Sequence, residues 1–568
     1  MTAPVAGETT DAPLAQVSPF LDLVAAPFTL PRSRVLVLAQ PGAAGLGATS
    51  LRICLAEYER SLAECTVFEE LSVIDGQGRP LPVTRVLPHR IEFGEGAATL
   101  TFAGPHALSI GTPGDASLEL RATPRGAAAQ VVPIGPGASV LIDFADRATI
   151  VPSTQHADHE EKTAALWTDW LARCPRVRDD LQAMTAFCWW VLGANIVELP
   201  GQGSARAVVP SKIGYVGLWQ WDAYFIAVGL RHGDPELARE QLDLAFRFPS
   251  ANGQLPDVVH DEGVLASSDD LPPHDLETLR RHGSAVADPD VPVALTKPPL
   301  AAWALAKVLE ASASDSDADA DPAWADAAWD TIARSQAWWF AEADSDGDGM
   351  PEYGHPYSSG LDDSPIFDGP LPLATPDLGA YLVLQDRELA RHYAAAGDAE
   401  AAHRHTARSD ATLARLLQMW DPALGQFVAH SGDQRIRSYT AVSLLPLLTG
   451  DLPAALTDGL VAALSDPRQF GTPWGVPTVA TADPDFSPER MWRGPVWLNI
   501  NALLVDGLRR SGFASEATEL AERTVALVLH GGGPHEYFNP LTGQKALTAT
   551  TSFGWSAALF VDLAVQLS

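Results

Sequence analysis

The hydrophobic pattern of this chain changes period once, near residue 155, and that change limits the folds open to it. Before it, short runs rich in β-branched residues (Ser33 to Leu38, Leu51 to Leu55, Thr66 to Ile74, Thr99 to Phe102, Val131 to Ile134) alternate with Gln40-Pro-Gly-Ala-Ala44, Asp75-Gly-Gln-Gly78 and Gly111-Thr-Pro-Gly114. Short strands with regular Gly/Pro punctuation argue an antiparallel β-sandwich over residues 1–155, with Ser139 to Phe144 as its last strand. After it, apolar residues recur at i, i+3 and i+4 in Lys162 to Leu199, Ala223 to Phe248, Pro292 to Ala311, Ala323 to Glu342, Asp377 to Ala396, Ala401 to Trp420 and five further segments that end with Ser552 to Gln566. The helices pair through short turns, and longer loops between pairs carry aromatic and acidic clusters. A ring of helical hairpins over 156–568, with inner and outer layers and the long loops at one mouth, fits that rhythm. Ala311 to Ala323, alternating Ser, Asp and Ala, reads as a solvated tip between two helices.

At 568 residues the chain is long enough for a large core and more than one domain. Its 38 basic and 71 acidic side chains give a net charge of −33, a surface that repels nucleic acid and anionic lipid. No apolar run reaches the length of a membrane span. Met1 to Ala15 has neither a basic n-region nor an apolar h-region, unlike a secretory signal. Cys54, Cys65, Cys174 and Cys188 lack metal-site spacing; Cys54 and Cys65 could face each other across a hairpin, but reduced thiols are the default of the cytoplasm, the compartment expected here. The sequence leaves the oligomeric state open.

Four distant segments mix charged or polar groups with aromatic rings or tight turns: Trp219-Gln-Trp-Asp-Ala-Tyr-Phe225, Gly360-Leu-Asp-Asp-Ser-Pro365, Met491-Trp-Arg-Gly-Pro-Val-Trp497 and His535-Glu-Tyr-Phe-Asn-Pro540. A pyranose ring asks for that mixture, since it has an apolar face to stack and a rim of hydroxyls to bond. Some of the 16 Trp residues serve that use, and core packing accounts for the rest. Asp362 and Glu536 are the candidate acid and base; each has a plain alternative, a turn former for Asp362 and a surface loop carboxylate for Glu536. Arg493, among tryptophans, needs a carboxylate or a sugar diol as partner. Asn252, Gln254 and His260 are weaker candidates, and His535 reads as a core or loop histidine.

In this order, Trp221-Asp222 with Tyr224-Phe225, Asn252-Gly-Gln-Leu-Pro256, Lys297-Pro-Pro299, Gly360-Leu-Asp362, Trp492-Arg-Gly-Pro-Val-Trp497, Glu536-Tyr537 and Phe553-Gly-Trp-Ser556 resemble the motifs of glycoside hydrolase family 63 and the related trehalases, over about residues 160 to 568. The resemblance implies an (α/α)6 barrel and inverting hydrolysis of a terminal α-glycosyl unit, on a short α-glucoside or a glucosylglycerate-like conjugate, with Asp362 as general acid and Glu536 as general base. It implies that Asp222 binds hydroxyls of the terminal sugar, with Trp219, Trp221, Tyr224, Asn252, Gln254, Lys297, Gly360, Trp492, Arg493, Trp497 and Tyr537 around it. The chemistry needs no cofactor.

Departures from that pattern cluster at Tyr357-Ser-Ser359, at Asp363 where Asn is frequent, and at Ile366 where a polar residue is common. They surround the leaving group and leave acid and base in place. Other classes remain open on the same helical ring: a polysaccharide lyase or a sugar epimerase, which needs a centrally placed His or Tyr, and a non-catalytic carbohydrate-binding protein, which has no use for both carboxylates. Asp344-Ser-Asp-Gly-Asp-Gly-Met-Pro-Glu352 repeats the ligand rhythm of a calcium loop: Asp344, Asp346, Asp348 and Glu352 at positions 1, 3, 5 and 9, and the Met350 carbonyl at 7. Position 12 is His355 instead of Glu, so structural Ca²⁺ and a solvated acidic connection both fit.

Overall fold

The computed structural model describes residues 12–145, 148–272, 275, 291–314 and 322–568. The leader reading of residues 1–15 and the polar tip at 311–323 fall largely outside that range. The chain divides into two compact units, Met1–Gly217 with Thr551–Ala557, and Leu218–Thr550 with Ala558–Ser568.

The first unit holds two antiparallel sheets. One runs in the order Val35–Ala39, Leu51–Leu55, Thr66–Ile74, Leu118–Pro124, Gln130–Ile134. The other runs Thr149–Ser153, Ser139–Asp143, Ala107–Gly111, Ala98–Gly104, Arg90–Phe93, Val83–Leu87. Alternation builds them: in Leu118–Pro124, Leu118, Leu120 and Ala122 are buried while Glu119 and Arg121 are exposed. Phe68 of the first sheet meets Phe144, just beyond Ser139–Asp143 of the second, ring centroids 6.1 Å apart. Cys54 lies opposite Thr66 in register, and all four cysteines are free thiols.

Several details differ from the sequence reading. A further strand, Thr149–Ser153, follows the expected last one. The segment expected as one helix over Lys162 to Leu199 is two, His156–Ala172 and Asp179–Ala194, because Pro175 lacks the N–H that would continue the first. Both belong to the sheet-bearing unit: Thr163 Oγ1 donates to the Phe102 carbonyl at 3.0 Å, and Trp170 and Trp189 exchange indole-to-carbonyl bonds of 2.7 and 2.9 Å. The periodicity therefore changes at residues 153–156, while the packing boundary falls at Gly217.

The second unit is mainly helical. Ala223 to Phe248 also splits, into Gln220–Leu230 and Pro235–Phe246; Asp234 caps the second by accepting from Leu237 N at 3.0 Å, with Pro235 in the first turn. Gln220–Leu230 packs on Pro235–Phe246, Ala301–Ser314 on Pro322–Glu342, Pro376–Ala395 on Ala399–Gln418 and Leu498–Arg510 on Ala514–Gly531. The partners in a pair differ in kind. Every residue of Gln220–Leu230 is buried, whereas Ala399–Gln418 buries only Ala401, Ser409, Thr412 and Leu416, a single stripe. The more buried helices also touch one another in succession: Gln220–Leu230 with Ala301–Ser314, that helix with Pro376–Ala395, that with the 3-10 turn Leu445–Thr449, and that with Leu498–Arg510. No described helix is long and apolar enough to cross a membrane.

Candidate active site

The sequence-selected residues sit near the ends of these helices. Trp219 ends a two-residue strand paired with Val258, and Gln220–Leu230 starts at once, so Asp222 falls in its first turn, buried. Asp362 follows the short helix Pro356–Ser359, closed by Gly360 at φ +70. A Cβ at Gly360 would lie 2.2 Å from the Trp221 ring, so only glycine lets the Asp362 turn approach that indole. Trp492 precedes Leu498–Arg510, and Glu536 follows Ala514–Gly531.

An aromatic wall joins these positions. Tyr537 stacks on Trp497 at 4.7 Å, Trp497 on Trp492 at 3.7 Å with planes 5° apart, and Trp492 faces Trp221 at 6.0 Å. Beside it lies a group of buried charges. Lys297 Nζ is 3.0 Å from Asp257 Oδ1 and donates to the Tyr357 carbonyl at 2.6 Å. Burial opposes the Lys297 charge, but Asp257, Asp362 and Asp222 outweigh it and hold the ammonium above its ordinary range. Burial pushes Asp362 up to about 7; Lys297 pulls it down, while Asp257, Asp363 and Asp275 add to the rise. Burial also raises Asp222 well above a normal carboxylate, against Lys297 and with Asp257, Glu536 and Asp362. Asp222 thus feels both Asp362 and Glu536, so the two selected carboxylates bear on one buried group although 174 residues separate them in the chain.

Their bonding differs. Asp362 Oδ1 is buried with no hydrogen-bond partner. Glu536 is anchored: its Oε2 accepts from Thr550 N at 2.8 Å, and its own N–H donates to the Thr550 carbonyl at 2.9 Å. Arg493 Nη2 donates to Asp368 Oδ1 at 2.5 Å, leaving a buried Nε with no partner. A carboxyl pushed up to about 7, a second carboxylate fixed by backbone, and stacked indoles nearby can protonate a leaving oxygen, direct a water and hold a ring face.

Other expected residues take structural posts. Asn252 is exposed in a turn, its Oδ1 accepting from Ser250 Oγ at 2.5 Å; the Asn-Gly pair is a turn former and stands outside this buried group. Gln254 spends its amide donors on the Ala266 and Leu295 carbonyls, both at 2.8 Å. Tyr224 is buried against Phe246 of the neighbouring helix, centroids 6.1 Å apart, as core. His535 Nε2 bonds the Gly531 carbonyl at 3.0 Å, a loop role. Asp257 was missed: it follows Asn252-Gly-Gln-Leu-Pro256 directly, and an acidic residue after that motif was the available signal. Asp344, Asp346 and Asp348 come together, one oxygen from each within 4.8 Å of the others. Glu352 is turned aside, its Oε2 taking the Ser345 N–H at 3.0 Å and the Ser345 hydroxyl.

A helical unit with buried carboxylates beside stacked indoles suits a glycoside hydrolase. The family profile "Mannosylglycerate hydrolase MGH1-like glycoside hydrolase domain" matches residues 215–556, more than half of the chain. Mannosylglycerate hydrolase MGH1 of Selaginella moellendorffii is 27% identical over 414 residues, 62% of this chain and 80% of that protein. Glucosylglycerate hydrolase of Mycolicibacterium hassiacum is 25% identical over 435 residues, covering 64% and 95%. The crystal structure of the family 63 mannosylglycerate hydrolase from Thermus thermophilus with Tris and D-glycerate superposes with a TM-score of 0.54 at 24% identity, over 66% of this chain and 98% of that one, a likeness of fold. The chain belongs to the MGH1-like group of glycoside hydrolase family 63. It is an exo-acting glycoside hydrolase, and the lyase, epimerase and binding-protein readings find no support in these relatives.

Proposed function

We propose that this chain hydrolyses, with inversion, a terminal α-glycosyl unit of a small conjugate of the glucosyl- or mannosylglycerate type, with Asp362 as general acid and Glu536 as general base. The observation that carries the assignment is the contrast between the two carboxyls: Asp362 is pushed up to about 7 with an unpartnered oxygen, and Glu536 is fixed by the Thr550 backbone. Asp362 protonates the glycosidic oxygen while Glu536 orients and deprotonates a water on the opposite face of the ring. Asp222 and Arg493 Nε hold the terminal sugar, Trp221 and Trp492 cover its apolar face, and Lys297 balances the carboxylates around it. The leaving group occupies the cavity of about 670 Å³ lined by Pro365, Arg437, Tyr439, Arg468 and Gln469, three residues along the chain from Asp362. Glycerate conjugates enter the proposal through the relatives named above. The test is a panel of α-glucosides and α-mannosides, glycerate conjugates included, with anomer-resolved NMR; inversion yields the β-sugar first, and release of the α-anomer first excludes it.

Three further elements belong to the proposal. The succession of buried helices closes into an (α/α)6 barrel through Gly229 against Ala558 and Arg509 bonded to Gln566, and the two leading sheets form a β-sandwich. Asp344, Asp346 and Asp348 hold a structural Ca²⁺ with the Met350 carbonyl; in support, Asp344 Oδ1 is buried and unpartnered. Glu352, turned to Ser345, is outside that ligand set unless a water bridges it. The four free thiols agree with a cytoplasmic enzyme.

A further inference from the structure

The segment from Ser487 to Val496 reaches both carboxylate-bearing loops. On one side it grips the turn of Asp362: Arg490 Nε donates to Asp363 Oδ2 at 3.0 Å, Trp492 N–H to Asp363 Oδ1 at 2.8 Å, and Arg493 Nη2 to Asp368 Oδ1 at 2.5 Å. On the other it grips the loop of Glu536. Glu489 Oε1 accepts from Asn539 Nδ2 at 2.5 Å and Oε2 from Leu547 N–H at 2.8 Å, while Val496 and Phe538 exchange backbone bonds of 2.8 and 3.0 Å. Adjacent residues of opposite charge thus bind opposite walls of the site.

The segment is itself held rigidly. Ser487 N–H donates to the Arg493 carbonyl and Arg493 N–H to the Arg490 carbonyl, both at 2.7 Å. A Cβ on Gly494, at φ +151, would lie 2.7 Å from the Ser487 oxygen. Met491 stands at φ +23, a strained position for a non-glycine residue, and its carbonyl is fixed by Trp497 Nε1 at 2.7 Å. Strain of this kind persists only where the surroundings over-determine the backbone.

We propose that residues 487–496 form a brace that sets the separation of Asp362 and Glu536, with Glu489, Arg490 and Asp363 as positioning residues acting through the backbones of the two loops. The proposal rests on the acid and base assignment made above. An inverting hydrolase must keep its carboxyls roughly 6.5–9.5 Å apart to admit the attacking water, and a misplacement of about 1 Å costs on the order of 10²-fold in rate. The Arg490–Asp363 pair adds little to stability: the arginine side chain is 44% exposed, and exposed pairs contribute little to folding. Its geometry, one carboxylate shared by a side chain and a backbone N–H, suits positioning.

The test uses the full chain, an α-glycoside substrate and the α-glycosyl fluoride of the same sugar. Fluoride departs with little help from an acid but still needs the base-directed water. Arg490→Met loosens the acid side alone. It should lower kcat on the glycoside by about tenfold or more with KM nearly unchanged, leave fluoride hydrolysis near the wild-type rate, and leave Tm within a degree or two. Arg490→Lys, which can still reach Asp363, should recover much of the loss. Glu489→Ala loosens the base side and should slow both substrates together. Wild-type kcat for both Arg490→Met and Glu489→Ala, a change in KM alone, or equal loss on glycoside and fluoride in Arg490→Met would overturn the brace. Asp362→Asn and Glu536→Gln serve as controls: if these are inactive while the brace variants are normal, only the brace fails; if these too are active, the acid and base assignment fails.

Discussion

Asp257→Asn changes the pH range of the enzyme in a direction that the site dictates. Asp362, pushed up to about 7, works as an acid only while protonated, so kcat/KM should fall with an apparent pKa near 7, to about one-tenth by pH 8. Four charged groups bear on that value: Lys297 favours the ionised form, and Asp257, Asp363 and Asp275 disfavour it. Replacing Asp257 acts twice in the same sense. It removes a negative charge that keeps the proton on Asp362, and it frees Lys297, now 3.0 Å from Asp257, to serve Asp362 instead. With an effective dielectric of about 20, one unit charge a few ångströms away is worth on the order of 1–4 kcal/mol, about one pKa unit or more. The alkaline limb should therefore move down by about one unit, leaving kcat/KM at pH 6 within a few-fold of wild type and at pH 8 lower by a further factor of about ten. Breaking a buried ion pair ordinarily costs about 3–5 kcal/mol of stability. Here the loss should be smaller, because Asp362 ionises more readily and takes over as counter-ion. Full pH profiles of kcat/KM, with a melting curve at each pH, measure both. An alkaline limb in Asp257→Asn that stays put or moves up would refute the electrostatic argument.

Other expectations follow from single contacts. Asp362→Asn and Glu536→Gln should each lower kcat by about 10²–10⁴-fold with binding largely kept, read by steady-state kinetics. Asp362→Asn should also raise Tm above pH 7: a carboxyl whose folded pKa is raised loses stability as pH rises from its unfolded value to about 7, and the amide escapes that loss. Gly360→Ala must fit a Cβ 2.2 Å from the Trp221 ring at φ +70, so activity should fall by a factor of ten or more with a lower Tm, seen by kinetics and calorimetry. Calcium should raise Tm and a chelator lower it, and Asp346→Ala should abolish the difference; a melting curve indifferent to both would leave the Asp348 carbonyl bond from Arg415, 2.6 Å, as the loop's anchor.

What the sequence could reveal depends on whether a residue's role is local or relational. Asp362, Asp222, Trp492 and Glu536 stood out in the sequence because each lies in or near a loop that meets a helix, and such loops announce themselves by a change of period together with Gly, Pro or aromatic residues. The same reasoning also selected Asn252, which the structure holds exposed in a turn; an Asn-Gly pair suits a turn and a sugar site equally well, and the sequence alone does not separate the two. It drew Lys162 to Leu199 as one helix by following apolar spacing past Pro175. Asp257 shows the limit most clearly. Its value comes from standing 3.0 Å from Lys297, 40 residues on, in surroundings that exclude water, and neither spacing nor composition encodes that pairing. Four carboxylates and one lysine are a poor arrangement for stability, for desolvation penalises every charge and the lysine offsets only part of the repulsion. The arrangement makes sense as an acid held at the edge of ionisation. The backbone that secures it (Gly360 under Trp221, Thr550 on Glu536, Ser487 to Val496 across both loops) adds no further carboxylate to the buried group, so the strain of holding like charges together is borne mainly by main-chain contacts around it.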